Sequence, residues 1–354
     1  GPEISYDSNE IFISHSGLTA LIRGEGEEPL QALLQAWQQD LPPGVIPRTV
    51  IRQAGKLING PDSPPLAKLD DIPSPFQLGL SDLSRGVVYF ETSRGCPYHC
   101  SFCLSARDNL MRSYSMERIR SDLLLLMQKR IPKVKLVDRT FNYDAGRALE
   151  IFRFILEHNR STHFHFEIGG HLLDDDTLDL LEKVPHGTFQ FEIGVQSTLE
   201  STLDAIDRRV NMARLEENVR RLAKNGRIHL HLDLVAGLPG ENFENFIASI
   251  DRVMALKPHH LQIEPVKLLP GSPLRDSTEA RRIRFDPNPP YTILASPDLS
   301  YADLQQVHEV SRLLDLTYNS GCFATFLQEL TGGAGSFARG LVWLAGEWRH
   351  RDLF

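Results

Sequence analysis

Three of the four cysteines of this chain lie in one short segment, residues 91–103, which we call the cysteine loop. Cys96, Cys100 and Cys103 follow the spacing Cys-x3-Cys-x2-Cys, and residues 87–90 before them have the β-branched and aromatic composition of a strand. Soft thiolate ligands suit iron, and a cubane cluster requires several cysteines close together. A four-iron cluster with three cysteine ligands leaves one iron open to a substrate or cofactor. The spacing therefore predicts an iron–sulfur cluster that does chemistry at its open iron.

A zinc site and a disulfide framework are two other uses of cysteines. A zinc site needs a fourth ligand, and His99 lies inside the loop where it would serve. A disulfide framework is typical of small secreted proteins, whereas this chain has 354 residues, four cysteines and no recognisable secretion signal. The cluster is therefore our interpretation. A non-catalytic iron–sulfur protein or a zinc-binding protein is the alternative from another class.

The composition is that of an ordinary globular protein. Apolar residues make up 41% of the chain, and no apolar run approaches the ~20 residues of a membrane span. A formal net charge of -8 argues against a protein that wraps nucleic acid. The chain has no signal pattern, and its cysteines are expected to be kept as thiolates. We therefore predict that the protein is located in the reducing cytoplasm. We expect neither a membrane nor a nucleic acid as partner.

Strands and helices alternate through the middle of the chain, which is the pattern of βαβ units around parallel strands. Six such units predict an α/β fold, a partial (β/α)6 TIM-like barrel rather than the closed eight-stranded form. The predicted strands are residues 87–91, 133–138, 163–168, 188–195, 228–235 and 260–266. The predicted helices are residues 115–129, 144–158, 174–182, 200–207, 214–225 and 243–256.

The segments on either side of this barrel have a different character. Residues 1–40 contain a strand end, an acid-rich turn and a helical pattern. Prolines and glycines recur in residues 41–83, so we expect a surface linker without regular elements there. Residues 84–285 are predicted to form the core domain. Residues 286–354 open with a proline-rich connector and continue with helical patterns, which predicts a helical C-terminal extension.

The cysteine loop resembles the cluster-binding loop of the radical S-adenosylmethionine (SAM) superfamily, both in its spacing and in the aromatic Phe102 before the last cysteine. The resemblance implies that Cys96, Cys100 and Cys103 bind a [4Fe-4S] cluster whose open iron chelates the amino and carboxylate groups of SAM. An electron from the reduced cluster would then cleave SAM to methionine and a 5′-deoxyadenosyl radical. An external donor such as flavodoxin or ferredoxin would supply that electron.

The resemblance also implies which residues contact SAM at the carboxyl ends of the strands. Asp138 ends the second strand, where the family often has Gly-Gly-Glu to meet the SAM amino group. Glu167 and Gln196 resemble the acid and the amide that hold the ribose hydroxyls in coproporphyrinogen-oxidase-like and methylthiotransferase-like members. Glu192 lies in the same stretch as Gln196 and is expected in the same pocket. Carboxylate and amide oxygens are suitable acceptors for a diol.

Four further positions complete the expected SAM pocket. Arg208 resembles the arginine that pairs with the SAM carboxylate, and a guanidinium matches a carboxylate in bidentate fashion. The fifth strand ends in Asp-Leu-Val-Ala-Gly-Leu-Pro-Gly-Glu, residues 233–241, which is similar to a motif of the family. In that motif the backbone at Val235 would meet the adenine, and Gly237 would permit its close approach. Phe102 would complete the adenine pocket.

Residues 21–37 resemble the end of the cobalamin-binding Rossmann-like domain that precedes the radical core in one large subgroup. The Asp-x-His-x-x-Gly loop that binds cobalt in that subgroup has no match in the 354 residues. We therefore interpret residues 1–40 as the remnant of such a domain and expect cobalamin to be bound only by a longer chain. Residues 286–354 resemble the start of an accessory C-terminal domain found in some members of the subgroup.

Together these features predict a radical SAM enzyme that acts on a substrate the sequence does not identify. If cobalamin takes part, methyl transfer to an unactivated carbon is the leading reaction. The alternatives within the superfamily are a coproporphyrinogen-oxidase-like enzyme and a methylthiotransferase-like enzyme. Apart from the cysteines and the expected SAM contacts, no residue is assigned to catalysis.

Overall fold

A computed structural model describes residues 2–6, 8–107 and 110–354 of the chain. The elements of the N-terminal part are α1 Pro2–Tyr6, α2 Ser8–Ser14, β1 Ala20–Ile22, α3 Glu27–Gln38, β2 Thr49–Gln53 and β3 Lys56–Asn59. The three strands form an antiparallel sheet in the order β1-β2-β3. Leu21 lies opposite Val50 in this sheet, and both pack with Phe12 into a small core of their own.

The hairpin of β2 and β3 lies inside the segment that we expected to be an irregular linker. The expectation of no regular element between residues 41 and 83 is therefore wrong. The prolines of this segment lie outside the two strands, and Thr49, Val50 and Ile51 are β-branched and buried. Burial against the small core therefore favours a strand here in spite of the nearby prolines. The linker boundaries themselves stay a prediction.

The middle of the chain supplies the central sheet and the helices that cover it. Its strands are β4 Val87–Phe90, β5 Ser93–Arg94, β6 Arg112–Ser113, β7 Lys133–Leu136, β8 His163–Ile168, β9 Phe189–Gln196, β10 His229–Ala236 and β11 His260–Pro265. Its helices are α4 Met116–Gln128, α5 Ala145–His158, α6 Asp175–Leu181, α7 Glu200–Ala205, α8 Met212–Asn225, α9 Phe243–Met254 and α10 Pro273–Asp276.

Six of these strands pair in parallel, in the order β4-β7-β8-β9-β10-β11. Each strand thus lies beside the strand that follows it through a helical crossover, and β4 and β11 form the two edges of an open sheet. This arrangement confirms the predicted α/β class with six parallel strands. It also brings the carboxyl ends of the strands, and the loops that follow them, to one edge of the sheet.

The two faces of this sheet differ sharply in polarity. On the helix-covered face the side chains are apolar and buried, and Phe152 of α5 contacts four other phenylalanines there. On the opposite face the same strands carry polar side chains at alternate positions, including Lys135, His165, Glu192 and Asp233. Because side chains alternate along a strand, apolar burial on one face directs every polar residue to the other.

Helix caps fix where the covering helices begin. The side chains of Ser115, Asp144 and Asp174 each accept a hydrogen bond from the backbone N–H three residues later, at the start of α4, α5 and α6. These bonds satisfy backbone donors that the first turn of a helix leaves unpaired. Gly226 ends α8 with a φ of 57°, a left-handed conformation that glycine adopts without strain.

The C-terminal part packs against the β11 edge of the sheet. It comprises β12 Arg284–Phe285, β13 Ile293–Ala295, α11 Tyr301–Leu314, a π-helical turn Asp315–Asn319, α12 Ala324–Ala334 and α13 Phe337–His350. The Asn319 side chain bonds both the N–H and the C=O of Leu261, and Asp251 of α9 accepts from the N–H of Ala338. The predicted helical extension is confirmed. Among the described residues, no helix is both long enough and apolar enough to cross a lipid bilayer.

The phenylalanine cluster yields a test of how the sheet is stabilised. Phe152 is fully buried, with ring centroids 5.1–5.7 Å from those of four other phenylalanines. We expect Phe152→Ala to lower the free energy of unfolding by about 3–5 kcal/mol, because it leaves a large cavity. Phe154→Ala, on the half-buried side of the same helix, should cost clearly less. Denaturant unfolding measures both, and equal losses would contradict this account of the core.

Candidate active site

A cavity of about 220 Å³ opens at the carboxyl edge of the central sheet. Consecutive strands contribute to its wall, as expected for a parallel α/β sheet. The cysteine loop after β4 provides the three cysteines together with Tyr98, Phe102 and, just beyond it, Ser105. The remaining lining residues are Arg139, Thr140, Glu167, Ile168, Gly169, Glu192, Gly194, Gln196, Arg208 and Asp233.

All three cysteines of the loop are free thiols on this one cavity. The Sγ of Cys96 lies 3.5 Å from the Oγ1 of Thr140, and the Sγ of Cys100 lies 3.5 Å from Nη1 of Arg208. Within the described part of the chain, no three His, Cys, Asp or Glu side chains converge closely enough to hold one metal ion. Thiols that share a cavity without converging on one point fit a cluster of several irons, in which each cysteine binds a different iron.

The entry to the cysteine loop is fixed by a buried carboxylate. Asp138 is 1% exposed and accepts from the backbone N–H of Thr92 at 3.0 Å and from the hydroxyls of Thr92 and Ser93. Phe90 of β4 lies opposite Leu136 of β7, so Asp138 comes level with the first residues of the loop.

This position differs from the one we expected for Asp138. Its oxygens are occupied by the loop, and it does not line the cavity. Burial raises the pKa of this carboxyl, while the three hydrogen bonds and Arg147 act in the opposite direction. The sequence pattern placed an acid at the end of the second strand correctly, but the tertiary structure turns it toward the loop. Asp138 therefore positions the cysteine loop in this structure, and its contact with the SAM amino group stays a prediction.

Gln196 enters the cavity through an irregularity of the sheet. Asp233 of β10 pairs with Gly194, whereas the next residue, Leu234, pairs with Gln196, so β9 carries one extra residue. Gln196 itself has a φ of 70°, which is rare for a residue other than glycine. Bulges of this kind redirect side chains beside active sites. A Cβ on Gly194 would lie 2.1 Å from the Gln196 Nε2, so the absence of a side chain at Gly194 makes room for the amide.

Arg208 connects the cysteines to the end of β9. Its Nη2 donates to the carbonyl oxygen of Gly194 at 2.5 Å, and its guanidinium carbon lies 5.9 Å from the centre of the Tyr98 ring. The Tyr98 hydroxyl in turn lies 2.9 Å from Nε2 of His171. A guanidinium so placed can pair with a carboxylate bound beside the cysteines. Arg208 thus lines the cavity beside Cys100, and its pairing with the SAM carboxylate stays a prediction.

Three carboxylates share the cavity, and their surroundings differ. Glu192 accepts from His165 at 2.9 Å and lies 3.7 Å from the Lys135 Nζ. The hydrogen bond from His165 is the largest of the favourable contacts that lower the pKa of Glu192 to about 2, against the opposing effect of burial. Burial, reinforced by the charge of Glu192, raises the pKa of Glu167 to about 7. Of these carboxylates, Glu192 is therefore ionised at neutral pH, whereas Glu167 takes up a proton near neutral pH.

Asp233 is an acidic cavity residue that the sequence analysis did not assign to the site. It was quoted only as the first residue of the fifth-strand motif, yet it lines the cavity and lies 3.1 Å from Nε2 of His231. Burial raises the pKa of Asp233, although His231 opposes the effect. The signal was present, because Asp233 is an acid between apolar neighbours in a strand, as Glu167 and Glu192 are. Tyr98 and Arg139 also line the cavity and carried no comparable signal.

The expected adenine contacts are only partly brought together. Phe102 lines the cavity, whereas Val235 and Gly237 are not among its lining residues. Gly237 has a φ of 87°, and a Cβ there would lie 3.0 Å from two side-chain carbons of Ile293 in β13. Packing against the C-terminal part thus accounts for this glycine without a ligand. Contacts of Val235 and Gly237 with adenine stay predictions.

Behind Gln196 lies a carboxyl that the sequence did not single out. Glu241 is fully buried and accepts from the hydroxyls of Ser197 at 2.7 Å and Ser249 at 3.0 Å. Burial raises the pKa of Glu241 to about 7, which the two serine hydrogen bonds only partly offset. Glu241 thereby fixes Ser197, the residue that follows Gln196.

An open sheet of parallel strands, with three free thiols after its first strand and a polar cavity at the strand ends, defines an α/β iron–sulfur enzyme. Residues 90–253 match the profile of the radical SAM superfamily. The chain thus contains a segment that matches the radical SAM superfamily, and this family implies a [4Fe-4S] cluster and SAM as cofactors. Residues 281–337 match a second family, described as a protein of unknown function (DUF4080).

Relatives and solved structures agree with this assignment. The chain is 28% identical over 299 residues to the cobalamin-dependent radical SAM methyltransferase TokK from Streptomyces tokunonensis, an alignment that covers 77% of the chain and 43% of TokK. It is 26% identical to the 2-(S-pantetheinyl)-carbapenam-3-carboxylate methyltransferase from Streptantibioticus cattleyicolor, with the same two coverages of 77% and 43%. The chain thus spans less than half the length of these two relatives.

Two solved structures share the fold. The radical SAM methyltransferase TsrM from Kitasatospora setae superposes with a TM-score of 0.61 at 15% identity, covering 79% of this chain and 59% of TsrM. The cobalamin-dependent SAM radical enzyme OxsB gives a TM-score of 0.56 at 17% identity, covering 80% of this chain and 42% of OxsB. At these identities the similarity shows the fold alone.

Gly194 offers a test of how Gln196 reaches the cavity. We expect Gly194→Ala to displace the Gln196 amide and to weaken SAM binding by about tenfold, the loss of roughly one good hydrogen bond. Equilibrium dialysis of the reconstituted protein measures the affinity. Gly146→Ala, at a helix start with no close neighbour under 3.4 Å, is the control. If the alanine acts through Gln196, adding Gln196→Ala should bring no further loss; an additive loss would contradict this coupling.

Glu241 predicts a pH dependence of stability. Because the pKa of Glu241 is raised from 4.5 to about 7, the folded state holds the proton more tightly than the unfolded chain. Its contribution is therefore fully present below pH 4.5 and is lost as the pH rises to about 7. Glu241→Gln keeps an oxygen for Ser197 and should flatten this decline, by up to about 3 kcal/mol. Denaturant unfolding at pH 4.5 and 7.5 measures it, and parallel pH profiles would contradict the prediction.

Proposed function

We propose that this chain is the catalytic core of a radical SAM enzyme, with Cys96, Cys100 and Cys103 as ligands of a [4Fe-4S] cluster. The observation that carries the proposal is the placement of three free thiols on one cavity at the carboxyl edge of the sheet. When bound, the cluster would supply the electron that cleaves SAM to methionine and a 5′-deoxyadenosyl radical. The substrate on which this radical acts is not assigned.

The protein side chains would bind and orient SAM beside the three cysteines. Arg208, held by the Gly194 carbonyl and next to Cys100, would pair with the carboxylate of SAM. Gln196 and Glu167 would accept from the ribose hydroxyls, since both line the cavity. Phe102 would cover the adenine. Glu192, kept ionised by His165 and Lys135, would place a negative charge near the sulfonium end of the ligand.

A second cavity supports a reaction in which another large ligand approaches the same site. This cavity, of about 580 Å³, lies between the cysteine loop and residues 24–27 and shares Ser105 and Arg139 with the first. TokK and OxsB are named cobalamin-dependent, and TokK and TsrM are named methyltransferases. We propose that the second cavity faces cobalamin held by a longer chain, and that the reaction is cobalamin-dependent methylation.

The alternatives have less support. A single zinc ion would need converging ligands, which the described residues do not provide. Relatives named tRNA-2-methylthio-N(6)-dimethylallyladenosine synthase match at 23% identity over 60% of the chain, a shorter stretch than the methyltransferases cover. An external reductant such as flavodoxin or ferredoxin is part of the proposal, because the reaction consumes an electron.

The proposal predicts how cysteine variants behave. After anaerobic reconstitution we expect about four irons and four sulfides per chain, a change in the spectrum of the reduced cluster when SAM is added, and 5′-deoxyadenosine under dithionite. Cys96→Ser, Cys100→Ser and Cys103→Ser should each lose most of the iron and all SAM cleavage. Cys322→Ser is the matched control, because Cys322 is an exposed free thiol outside the site.

Two results would contradict the proposal. The first is a wild-type protein that binds zinc and cleaves no SAM. The second is a Cys103→Ser variant that keeps its iron and its SAM cleavage at the level of Cys322→Ser. For the methylation step, the measurement is transfer of a labelled methyl group from SAM to cobalamin in the full-length protein. A protein that cleaves SAM but never methylates cobalamin would contradict the methylation step. It would leave the other classes of radical SAM enzyme as candidates.

A further inference from the structure

Two arginines face each other across the strand pair that flanks the three cysteines. β5 precedes Cys96 and β6 follows Cys103, and in their antiparallel pairing Arg94 lies opposite Arg112. Like charges directly opposite each other in an antiparallel pair are destabilising. Both side chains are also withdrawn from water, since that of Arg112 is 5% exposed and that of Arg94 is 18% exposed. The pair can close only if these cations are neutralised.

Two of the three neutralising carboxylates come from another part of the chain. Glu25 binds Arg112 in a bidentate manner, at 2.5 Å and 3.0 Å, and its Oε2 lies 3.5 Å from Nη1 of Arg94. Glu27 accepts from Nη2 of Arg94 at 2.6 Å. Glu91, inside the cysteine loop, accepts from Nε of the same arginine at 2.9 Å. Bidentate guanidinium–carboxylate pairs of this length are the stronger class of ion pair.

Glu25 and Glu27 lie outside the segment that matches the superfamily. They belong to the turn before α3 and to its first residue, whereas the matched segment begins at residue 90. Burial of Glu25 would raise its pKa, but Arg112 and Arg94 together hold the pKa of this carboxyl below its usual value. The strand pair around the cysteines is thus completed by residues far away in the sequence.

We propose that Glu25 and Glu27 are positioning residues for the cysteine loop. By neutralising Arg94 and Arg112, they keep β5 paired with β6 and hold the three thiols on the cavity. Neither residue touches the thiols, so neither is a catalytic residue. The inference rests on the proposed function only in that the thiols are taken to bind the cluster. The closing of the loop can be tested without any iron.

The primary test uses the protein without metal. Cys96 and Cys100 are 9% and 5% exposed, whereas Cys322 is exposed and serves as an internal reference. We expect Glu25→Gln to raise the rate of alkylation of Cys96 and Cys100 by iodoacetamide at least about tenfold, because it removes the bidentate carboxylate from the buried Arg112 cation. Glu27→Gln should have a smaller effect in the same direction. The rate at Cys322 should not change, as followed by peptide mass spectrometry.

Two further variants separate positioning from general loosening. Glu28→Gln changes the neighbouring acid of the same first helical turn, which is exposed and makes no ion pair among the described residues, and should leave all rates unchanged. Adding Arg112→Met to Glu25→Gln removes the cation that has lost its bidentate carboxylate, so alkylation should return to within about threefold of wild type. A merely structural role of Glu25 would give no such rescue.

The alkylation rates of the single and double variants distinguish the possible roles of Glu25. Wild-type alkylation rates in Glu25→Gln would overturn the inference, and so would a double variant that is alkylated faster than Glu25→Gln. Loss of cooperative thermal unfolding in both Glu25→Gln and Glu27→Gln would assign these residues to folding in general and would also overturn it. The same variants are then reconstituted with iron and sulfide, and the rate of iron release to a chelator is measured. This rate should be about tenfold faster in Glu25→Gln than in wild type. Failure of wild type to bind four irons would instead count against the proposed function.

Discussion

The site depends on the alternation of side chains along six parallel strands. One face of the sheet is fully apolar and packed under helices, so each polar residue of a strand must lie on the other face. The strands run in the same direction, so the polar residues nearest their carboxyl ends meet at one edge. Residues separated by more than a hundred positions, such as Cys96 and Asp233, therefore line one cavity. No interaction within any single unit could achieve this.

The cavity also depends on supports that do not line it. Asp138 fixes the first residues of the cysteine loop, and Glu241 fixes Ser197 beside Gln196. Both carboxyls are buried. Asp138 accepts from the hydroxyls of the loop that it supports, whereas Glu241 accepts from Ser197 at the strand end and from Ser249 of α9. A buried carboxyl is costly unless it is hydrogen-bonded, so these bonds favour one arrangement of the loop and of the strand end. These acids thus hold the loop and strand end that carry the ligand contacts.

Charge is distributed unequally around the site. Glu192 is kept ionised by His165 and Lys135, whereas burial moves the pKa of Glu167 to about 7. Arg208 adds a positive charge beside Cys100. A cavity with cationic and anionic walls suits a ligand that carries both signs of charge, as SAM does through its carboxylate, ammonium and sulfonium groups. The further ion pairs of Arg94 and Arg112 with Glu25 and Glu27 lie outside this cavity and concern the cysteine loop itself.

Much of this organisation could be predicted from the sequence. The order of strands and helices follows from period-two and period-3.6 patterns, which are local, and the six predicted strands match β4 and β7 to β11 to within one or two residues. The cysteine spacing is also local, and it led to the superfamily that residues 90–253 match. The hairpin of β2 and β3 was missed because its stability comes from burial against Phe12 and Leu21, which no local pattern records.

What the sequence alone determined is therefore the chemistry of the cysteine loop and the α/β class of the chain. Only the tertiary structure decided the direction of each polar side chain, because that direction depends on the neighbouring strand and its register. Asp138 and Asp233 show this most clearly: both are acids near the ends of strands, yet the first is turned behind the cysteine loop and the second into the cavity. The bulge that aims Gln196, and the pairing of Glu25 with Arg112, likewise exist only once distant segments are packed together.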